Sequence, residues 1–318
     1  MAPLRAGLAV RGPNAAVTLA AIERAEQIGV PAVWSTVGGT NPDAVTLFAA
    51  AAARTSKIDF GTAIVPTYPR HPLVLASQAL VLESLAPGRI RLGIGPSHRP
   101  TIEGMFGLQM GRPLEHLREY LTVLRGLLWD GSVDHAGTYL TVKAQLPAGV
   151  APPKTPIPIS ALRAGAFRLA GEIADGAISW VCPIPYLVNT AKPAMIEGAQ
   201  AAGRPTPPLI GHVPVAIGTD RAAIRAAARP QLANYGRLPF YRGMFEDAGF
   251  PVPADGVMPD ALLDALVVSG TTDEVAARLR EIQAQGVDEL LVMRIAVSDD
   301  AAEDAALLSL LGREAAAS

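Results

Sequence analysis

The chain has 318 residues, of which 50% are hydrophobic and 18% are charged, and its formal net charge is −2. The length is long for one domain but ordinary for an α/β barrel, and the apolar content suffices for a large core. The small net charge gives no electrostatic basis for binding nucleic acid or an anionic membrane. The single cysteine, Cys182, excludes an intramolecular disulfide and a cysteine-based zinc cluster.

No targeting or membrane-spanning segment is evident. Met1 to Val10 is too short for a signal peptide and is interrupted by Arg5. No run approaches the roughly 18 uncharged apolar residues that a spanning helix needs. We therefore expect a soluble, cytoplasmic protein that forms a single domain over residues 1–318.

The first third of the chain predicts strands that alternate with helices. The expected strands are short apolar runs: Leu4–Val10, Pro31–Ser35, Ile58–Val65 and Ile90–Gly95. The expected helices have helical apolar spacing and turn residues at their ends: Ala15–Ile28, Asn41–Arg54 and His71–Leu85. In the second of these helices, Asn41 is the expected cap and Pro42 lies in the first turn.

The remainder repeats this alternation with two excursions. Pro96–Gly111 and Gly236–Gly256 are expected to be irregular inserts, Gly137–Leu140 to be one arm of a small hairpin, and Leu146–Pro158 to be a loop. The expected strands are Ile157–Ala161, Gly176–Val181, Leu209–Ile217 and Asp288–Ile295. The expected helices are Arg112–Trp129, Ala164–Ile173, Tyr186–Ala202, Asp220–Tyr235, Asp260–Val268 and a helix ending at Gln285. Thr271 and Glu274 resemble a capping box at the start of the last helix.

Strands that are apolar on both faces and alternate with helices predict an α/β fold, a (β/α)8 TIM barrel with insertions after strand four and after helix seven. A doubly wound parallel sheet is the alternative. In a barrel the chemistry lies at the carboxyl ends of the strands, and here those ends are rich in glycine, proline and aromatic residues.

Several sequence blocks resemble the luciferase-like monooxygenase superfamily, whose members bind F420 or FMN. These blocks are Gly61–Pro66, His71–Ala76, Leu85–Gly95, Arg168–Trp180 and Thr271–Leu291, and they occur in the family's order over most of the chain. Pro96–Gly107 is most similar to the actinobacterial branch that binds the deazaflavin coenzyme F420. FMN-using relatives share the same framework, so FMN is the alternative cofactor.

The resemblance implies roles for two segments. Thr62–Val65 matches the bulge that backs the central ring of the flavin, often through a non-proline cis peptide. Leu162–Phe167 matches the turn whose backbone N–H groups hold the cofactor phosphate at a helix start. Many relatives have Gly-Pro where this chain has Arg163-Ala164, and the guanidinium of Arg163 adds a group that can pair with phosphate. Family members often dimerise, which implies a homodimer.

Strand two departs from the family pattern. Luciferases and sugar-phosphate dehydrogenases of the family place a catalytic His or Asp-His directly after this strand, whereas Trp34–Gly39 contains no titratable group. The departure weakens both of those functional assignments. It also keeps open a barrel that binds a flavin without catalysing a reaction.

His98 is the main candidate for a catalytic group. It follows strand four, and an imidazole can donate a proton or anchor an oxygen near neutral pH; a histidine in a surface loop is the alternative. Glu103 is the second candidate, either orienting His98 or pairing with Arg112, and a structural ion pair is the favoured role. His71 is expected to mark a helix start.

The other histidines carry no assigned chemistry. His116 is expected on a helix face, His135 in a loop and His212 inside the barrel, and no group of residues has the spacing of a metal site. Gly93 and Gly95 lack the rest of a dinucleotide fingerprint and are expected to clear room for a ring system.

The residues expected to bind the cofactor lie at the strand ends and in the two family segments. They are Trp34, Thr62, Ala63, Ile64, Gly95, Ser97, Leu162, Arg163, Ala164, Gly165, Ala166 and Trp180. Trp34 lines the pocket or fills the top of the barrel. The expected function is an F420-dependent oxidoreductase that transfers a hydride to or from a small organic substrate. The alternatives are an FMN-dependent monooxygenase that uses oxygen and a non-catalytic flavin-binding barrel.

Overall fold

A curled, all-parallel sheet forms the centre of the protein, and the computed structural model describes residues 4–298 and 300–317. The strands are Ala6–Ala9, Ala32–Ser35, Asp59–Thr62 continued by Val65–Pro66, Ile90–Arg91 continued by Ile94–Gly95, Ile159–Ser160, Ala177–Ser179, Leu209–Ile217 and Glu289–Arg294. Each strand pairs with the next one along the chain, and the last pairs with the first. This order is not that of a doubly wound sheet, and the α/β fold with a curled parallel sheet is confirmed.

Helices follow the strands and cover the outside of the sheet. Their bounds are Ala15–Ile28, Ala44–Ala52, Pro72–Leu85, Arg99–Gly104, Pro113–Arg125, Ala164–Ile173, Ile184–Tyr186, Lys192–Ala201, Arg221–Leu232, Pro239–Asp247, Asp260–Leu266, Thr272–Ala284 and Asp300–Ala316. π-helical turns at Gly126–Asp130 and Leu187–Ala191 and a 3₁₀ turn at Tyr235–Arg237 extend this set. None of the helices in the described part of the chain is long and apolar enough to cross a membrane.

The helix caps test the local predictions directly. His71 caps the third helix by accepting a hydrogen bond from the N–H of Leu73, and Thr271 and Glu274 form the capping box. The expected cap at Asn41 is wrong. Asp43 is the cap, because its carboxylate accepts a bond from the N–H of Thr46, and the helix therefore begins two residues after Pro42.

Other segments also differ from expectation. Gly137–Leu140 is not a hairpin arm but the connection between the antiparallel strands Ser132–Ala136 and Thr141–Gln145. The excursions expected to be irregular contain the helices Arg99–Gly104 and Pro239–Asp247. The helix Asp260–Leu266 is followed by a short strand, Val268–Gly270, that pairs with the end of strand seven. The terminal helix Asp300–Ala316 was not expected.

The third and fourth strands are each interrupted at the same level of the sheet. Between the two halves of strand three, the hydroxyl of Thr62 and the N–H of Val65 both donate to the carbonyl of Gly93, each at 2.8 Å. A Cβ at Gly93 would lie 2.0 Å from the carbonyl oxygen of Thr62. Glycine is therefore required at this position so that the two backbones can approach and shape the interruption.

A tryptophan fills the interior of the sheet below this interruption. Trp34 is fully buried, and a Cβ at Gly61 would lie 2.2 Å from its ring. Its Nε1 donates to Glu289 at 3.1 Å, and the guanidinium of Arg91 lies 4.5 Å from its ring centroid. The interior is thus closed by a large aromatic side chain whose polar atom has a partner.

The contact at Gly93 predicts a large effect of one methyl group. We expect Gly93→Ala to lower the free energy of unfolding by about 2–4 kcal/mol, because the new Cβ meets backbone that cannot move independently. Gly104→Ala is the matched control, since a Cβ there meets no atom within 4 Å, and it should shift stability by less than about 1 kcal/mol. Urea unfolding followed by circular dichroism measures both; equal stability of the two variants would refute the packing role of Gly93.

Candidate active site

A cavity of about 340 Å³ opens at the carboxyl ends of the strands. Its lining includes nine of the residues predicted for the site: His98, Ala63, Ile64, Ser97, Leu162, Arg163, Gly165, Ala166 and Trp180. Thr36, Val37, Pro96, Met110, Pro113, Leu114, Ser160, Ala161, Ile178, Tyr235, Phe240 and Tyr241 complete the lining. The cavity therefore lies where the chemistry of parallel α/β sheets is found.

The interruption of strand three forms the floor of the cavity. The peptide bond between Ala63 and Ile64 is cis, as the resemblance implied. The N–H of Ala63 donates to Ser35 at 2.8 Å, and the carbonyl of Ile64 accepts from Val37 at 3.4 Å. No described residue pairs with the carbonyl of Ala63 or the N–H of Ile64. One acceptor and one donor are therefore left at the cavity floor for a ligand.

The start of the helix Ala164–Ile173 forms another part of the wall. Arg163 precedes this helix without capping it through its side chain, and within residues 4–298 and 300–317 the N–H groups of Ala164 and Gly165 have no partner. Free N–H groups and the helix dipole make such a start suitable for an anion. The guanidinium of Arg163 pairs with Asp247 at 2.8 Å, and both side chains are partly exposed.

Trp180 follows the neighbouring strand Ala177–Ser179 and forms an aromatic wall of the cavity that is fixed from two sides. Its Nε1 donates to the hydroxyl of Tyr235 at 2.7 Å. Its ring stacks on His212 with a centroid distance of 3.7 Å and an interplanar angle of 22°. The next residue, Val181, has a φ of 51°, which is unusual for a β-branched residue, and its N–H donates to Nδ1 of His212 at 3.2 Å.

His212 is a neutral, buried support for Trp180. Because Nδ1 accepts from Val181, the proton of the neutral ring is on Nε2, and this atom has no partner among the described residues. Burial lowers the pKa of His212 to about 3. A charged imidazole in this position would have lost its water without gaining a counterion.

His98 lines the cavity, and its imidazole has no hydrogen-bond partner among residues 4–298 and 300–317. It is the residue before the helix Arg99–Gly104, yet its side chain makes no capping bond. Its ring lies 5.6 Å from that of Tyr241. Burial lowers the pKa of His98 below the ordinary 6.5, so the neutral form prevails at pH 7. His98 is therefore available to accept a proton or to donate one hydrogen bond.

Glu103 does not line the cavity. Its carboxylate pairs with Arg99 and accepts the N–H of Met110 at 3.2 Å, whereas Arg112 pairs with Glu115. The prediction that Glu103 orients His98 is wrong, and the structural ion pair has Arg99, not Arg112, as its partner. These contacts hold the segment that carries Met110 against the cavity.

Four predicted cofactor contacts lie outside the lining. They are Trp34, Thr62, Gly95 and Ala164. Trp34 and Thr62 are buried below the floor and support it. The expectation that Gly93 and Gly95 clear room for a ring is wrong, because a Cβ at Gly95 would lie 2.1 Å from the hydroxyl of Ser160 on the neighbouring strand. These glycines allow close strand packing.

Three aromatic residues of the cavity were missed from the sequence. Tyr235, Phe240 and Tyr241 come from the segment between strand seven and the helix Asp260–Leu266. The centroids of the two tyrosine rings are 4.8 Å apart. The available signal was the density of aromatic residues between 235 and 245 in a chain that is only 5% aromatic.

Comparisons with known proteins find one sequence family and a solved structure of similar fold. The sequence model of the luciferase-like monooxygenase family matches residues 2–289. An uncharacterized protein of Mycobacterium tuberculosis is 30% identical over 319 aligned residues, covering 91% of this chain and 92% of the relative. The F420-dependent glucose-6-phosphate dehydrogenase of Microbacterium testaceum is 33% identical over 207 aligned residues, covering 61% and 60%. The structure of the coenzyme F420-dependent tetrahydromethanopterin reductase of Methanopyrus kandleri aligns with a TM-score of 0.78, at 24% identity, over 98% of both chains.

The buried state of His212 predicts a pH-dependent stability. Its folded pKa of about 3 lies below the ordinary 6.5, so its contribution is fully present above pH 6.5 and is lost as the pH falls towards 3. Between pH 7.5 and pH 5 we expect His212 to account for a decrease of about 1–2 kcal/mol in the free energy of unfolding. Urea unfolding at both pH values should show a smaller decrease in His212→Leu than in the wild type.

The control is His71→Asn, which keeps a capping group at an exposed position and should retain the full decrease. An unchanged decrease in His212→Leu would contradict the assignment of a buried neutral imidazole.

Proposed function

Because the chain belongs to the luciferase-like monooxygenase family and is an oxidoreductase of that family, we propose that it is F420-dependent and transfers a hydride between a deazaflavin and a small organic substrate. The observation that carries this proposal is the cavity itself. It combines an aromatic wall with a floor and a helix start whose backbone groups have no partner in the part of the chain that the structure describes. The F420-dependent relative from Microbacterium testaceum supports the choice of cofactor.

The residues present fit a flavin-like group. The floor at Ala63 and Ile64 would hold the ring system, and the start of the helix at Ala164, together with Arg163, would hold its phosphate. When bound, a deazaflavin supplies two-electron hydride chemistry, while the protein orients it and excludes water. The guanidinium of Arg163 pairs with Asp247 at 2.8 Å, so a bound phosphate would share it with that carboxylate.

His98 would manage the proton that accompanies hydride transfer. Since its neutral form prevails at pH 7, it would accept the hydroxyl proton of an alcohol that is being oxidised. In the opposite direction the protonated imidazole would return that proton to the carbonyl oxygen that is being reduced. No described residue hydrogen-bonds its imidazole, which leaves both roles open to a bound substrate.

An FMN-dependent monooxygenase that uses oxygen is the second candidate. The matching family is that of the luciferase-like monooxygenases, and a flavin ring would occupy the same floor. In that case the reduced cofactor would be consumed only when oxygen is supplied. Cofactor binding without any turnover would instead support the non-catalytic barrel.

The cofactor assignment predicts a selective binding result. Titration of the purified protein with oxidised F420 and with FMN, followed by cofactor fluorescence, should show tighter binding of F420. Gly165→Asp should weaken this binding by about tenfold or more, because it places a carboxylate at the free helix start. Gly165→Ala is the matched control, since its Cβ would only contact Leu114 at 3.5 Å, and it should bind normally.

Tight binding of FMN without binding of F420 would overturn the proposed cofactor. Equal binding by the Asp and Ala variants would remove the helix start from the phosphate site.

The state of His98 predicts a distinct titration. NMR of the ring protons, assigned by their loss in His98→Gln, should give a midpoint below the ordinary 6.5 because burial disfavours the imidazolium. The rate of alcohol oxidation should then fall as the pH drops through that midpoint, and this decrease should be absent in His98→Gln. A midpoint at or above 6.5 would contradict the neutral form and restore a cationic proton donor.

A further inference from the structure

The substrate side of the cavity is aromatic and almost without charge. Tyr235, Phe240 and Tyr241 face the space beside His98 and Trp180. Among the described lining residues, only Arg163 carries a formal charge, and it is paired with Asp247 at 2.8 Å. A carboxylate, phosphate or ammonium group placed on the aromatic side would lose its water without gaining a counterion, which is costly. This side of the cavity therefore suits an uncharged ligand.

Tyr235 has an uncommitted donor at this surface. A tryptophan N–H can only donate, so the 2.7 Å bond from Trp180 makes the phenolic oxygen of Tyr235 the acceptor. The hydroxyl hydrogen of Tyr235 must point to another acceptor, and none is found within the described part of the chain. Because Tyr235 lines the cavity, that acceptor is water in the empty cavity or a polar atom of a bound ligand that replaces the water.

We propose that the hydroxyl of Tyr235 anchors the carbonyl or alcohol oxygen of an uncharged, apolar substrate in this cavity. The proposal deepens the proposed function and rests on it for the hydride step. Donation from Trp180 to the phenolic oxygen polarises the Tyr235 O–H and strengthens its own donation. Tyr241 also lines the cavity, but its hydroxyl receives no such bond from a described residue. Tyr235 is therefore the stronger anchor.

We do not expect this protein to act on glucose 6-phosphate, for which the relative from Microbacterium testaceum is named. A sugar phosphate would bring an anion and several hydroxyl groups to a surface of aromatic rings. The neutral polar side chains of the whole lining are the two tyrosines, His98, Thr36, Ser97 and Ser160, which is few for a molecule with that many polar atoms. An aromatic or alicyclic ketone, or the matching secondary alcohol, satisfies the same surface with one polar atom.

Three probes that share one ring separate these properties. Acetophenone carries a carbonyl oxygen, ethylbenzene lacks it, and 4-acetylbenzoate adds a carboxylate. Their dissociation constants are measured by ligand-observed NMR on the 318-residue protein, with and without oxidised F420. We expect acetophenone to bind and 4-acetylbenzoate to bind at least tenfold more weakly. Equal affinity of these two probes, or no binding of acetophenone, would overturn the proposed substrate class.

Tyr235→Phe then tests the anchor. The variant should weaken acetophenone binding about tenfold and leave ethylbenzene binding unchanged, whereas Tyr241→Phe should weaken acetophenone less. Tyr68→Phe is the control outside the cavity and should change neither. If Tyr235→Phe weakens both probes equally, Tyr235 only supports Trp180, and an unchanged acetophenone affinity would also overturn the anchor.

Failure of the proposed function gives a different pattern. In that case F420 does not bind, while the comparison of acetophenone with ethylbenzene on the unloaded protein still reports on Tyr235. Failure of the anchor leaves F420 binding intact.

Discussion

The shape of the cavity floor depends on the carbonyl of Gly93. It accepts hydrogen bonds from both the Thr62 hydroxyl and the Val65 N–H, and these bonds span the gap between the two halves of strand three. A continuous strand would have used the backbone groups of Ala63 and Ile64 in the sheet. The interruption releases one donor and one acceptor at the cavity floor, and the buried Trp34 supports them from below. The hydrogen bonds that interrupt strand three therefore also shape the cavity floor.

Much of the fold could be predicted because its signals are local. Apolar runs such as Leu209–Ile217 and cap residues such as Thr271 act through neighbours in sequence, and both were placed correctly. The requirement for glycine at a given position is not local, because the atoms that a Cβ would meet belong to another strand. Gly93 has the same appearance in sequence whether it faces empty space or a carbonyl 2.0 Å from its missing Cβ. The prediction for Asn41 failed for a local reason, because the nearby Asp43 supplies the cap.

The site was predictable only where the residues belong to strand ends. His98, Ala63 and Trp180 follow parallel strands, and the ends of such strands meet at one edge. Trp34 also ends a strand, but its ring enters the interior between Gly7 and Gly61, and strand alternation alone did not show this. Tyr235 and Tyr241 were missed because the segment that carries them reaches the cavity through tertiary packing.

Trp180 has consequences for how the cavity can change over evolution. Its ring stacks on His212, which lies within strand seven and does not line the cavity. A substitution at this hidden position would tilt or release the aromatic wall while every lining residue stayed the same. Selectivity can therefore diverge between related proteins whose cavity residues are identical, so comparing lining residues alone would group proteins that prefer different molecules.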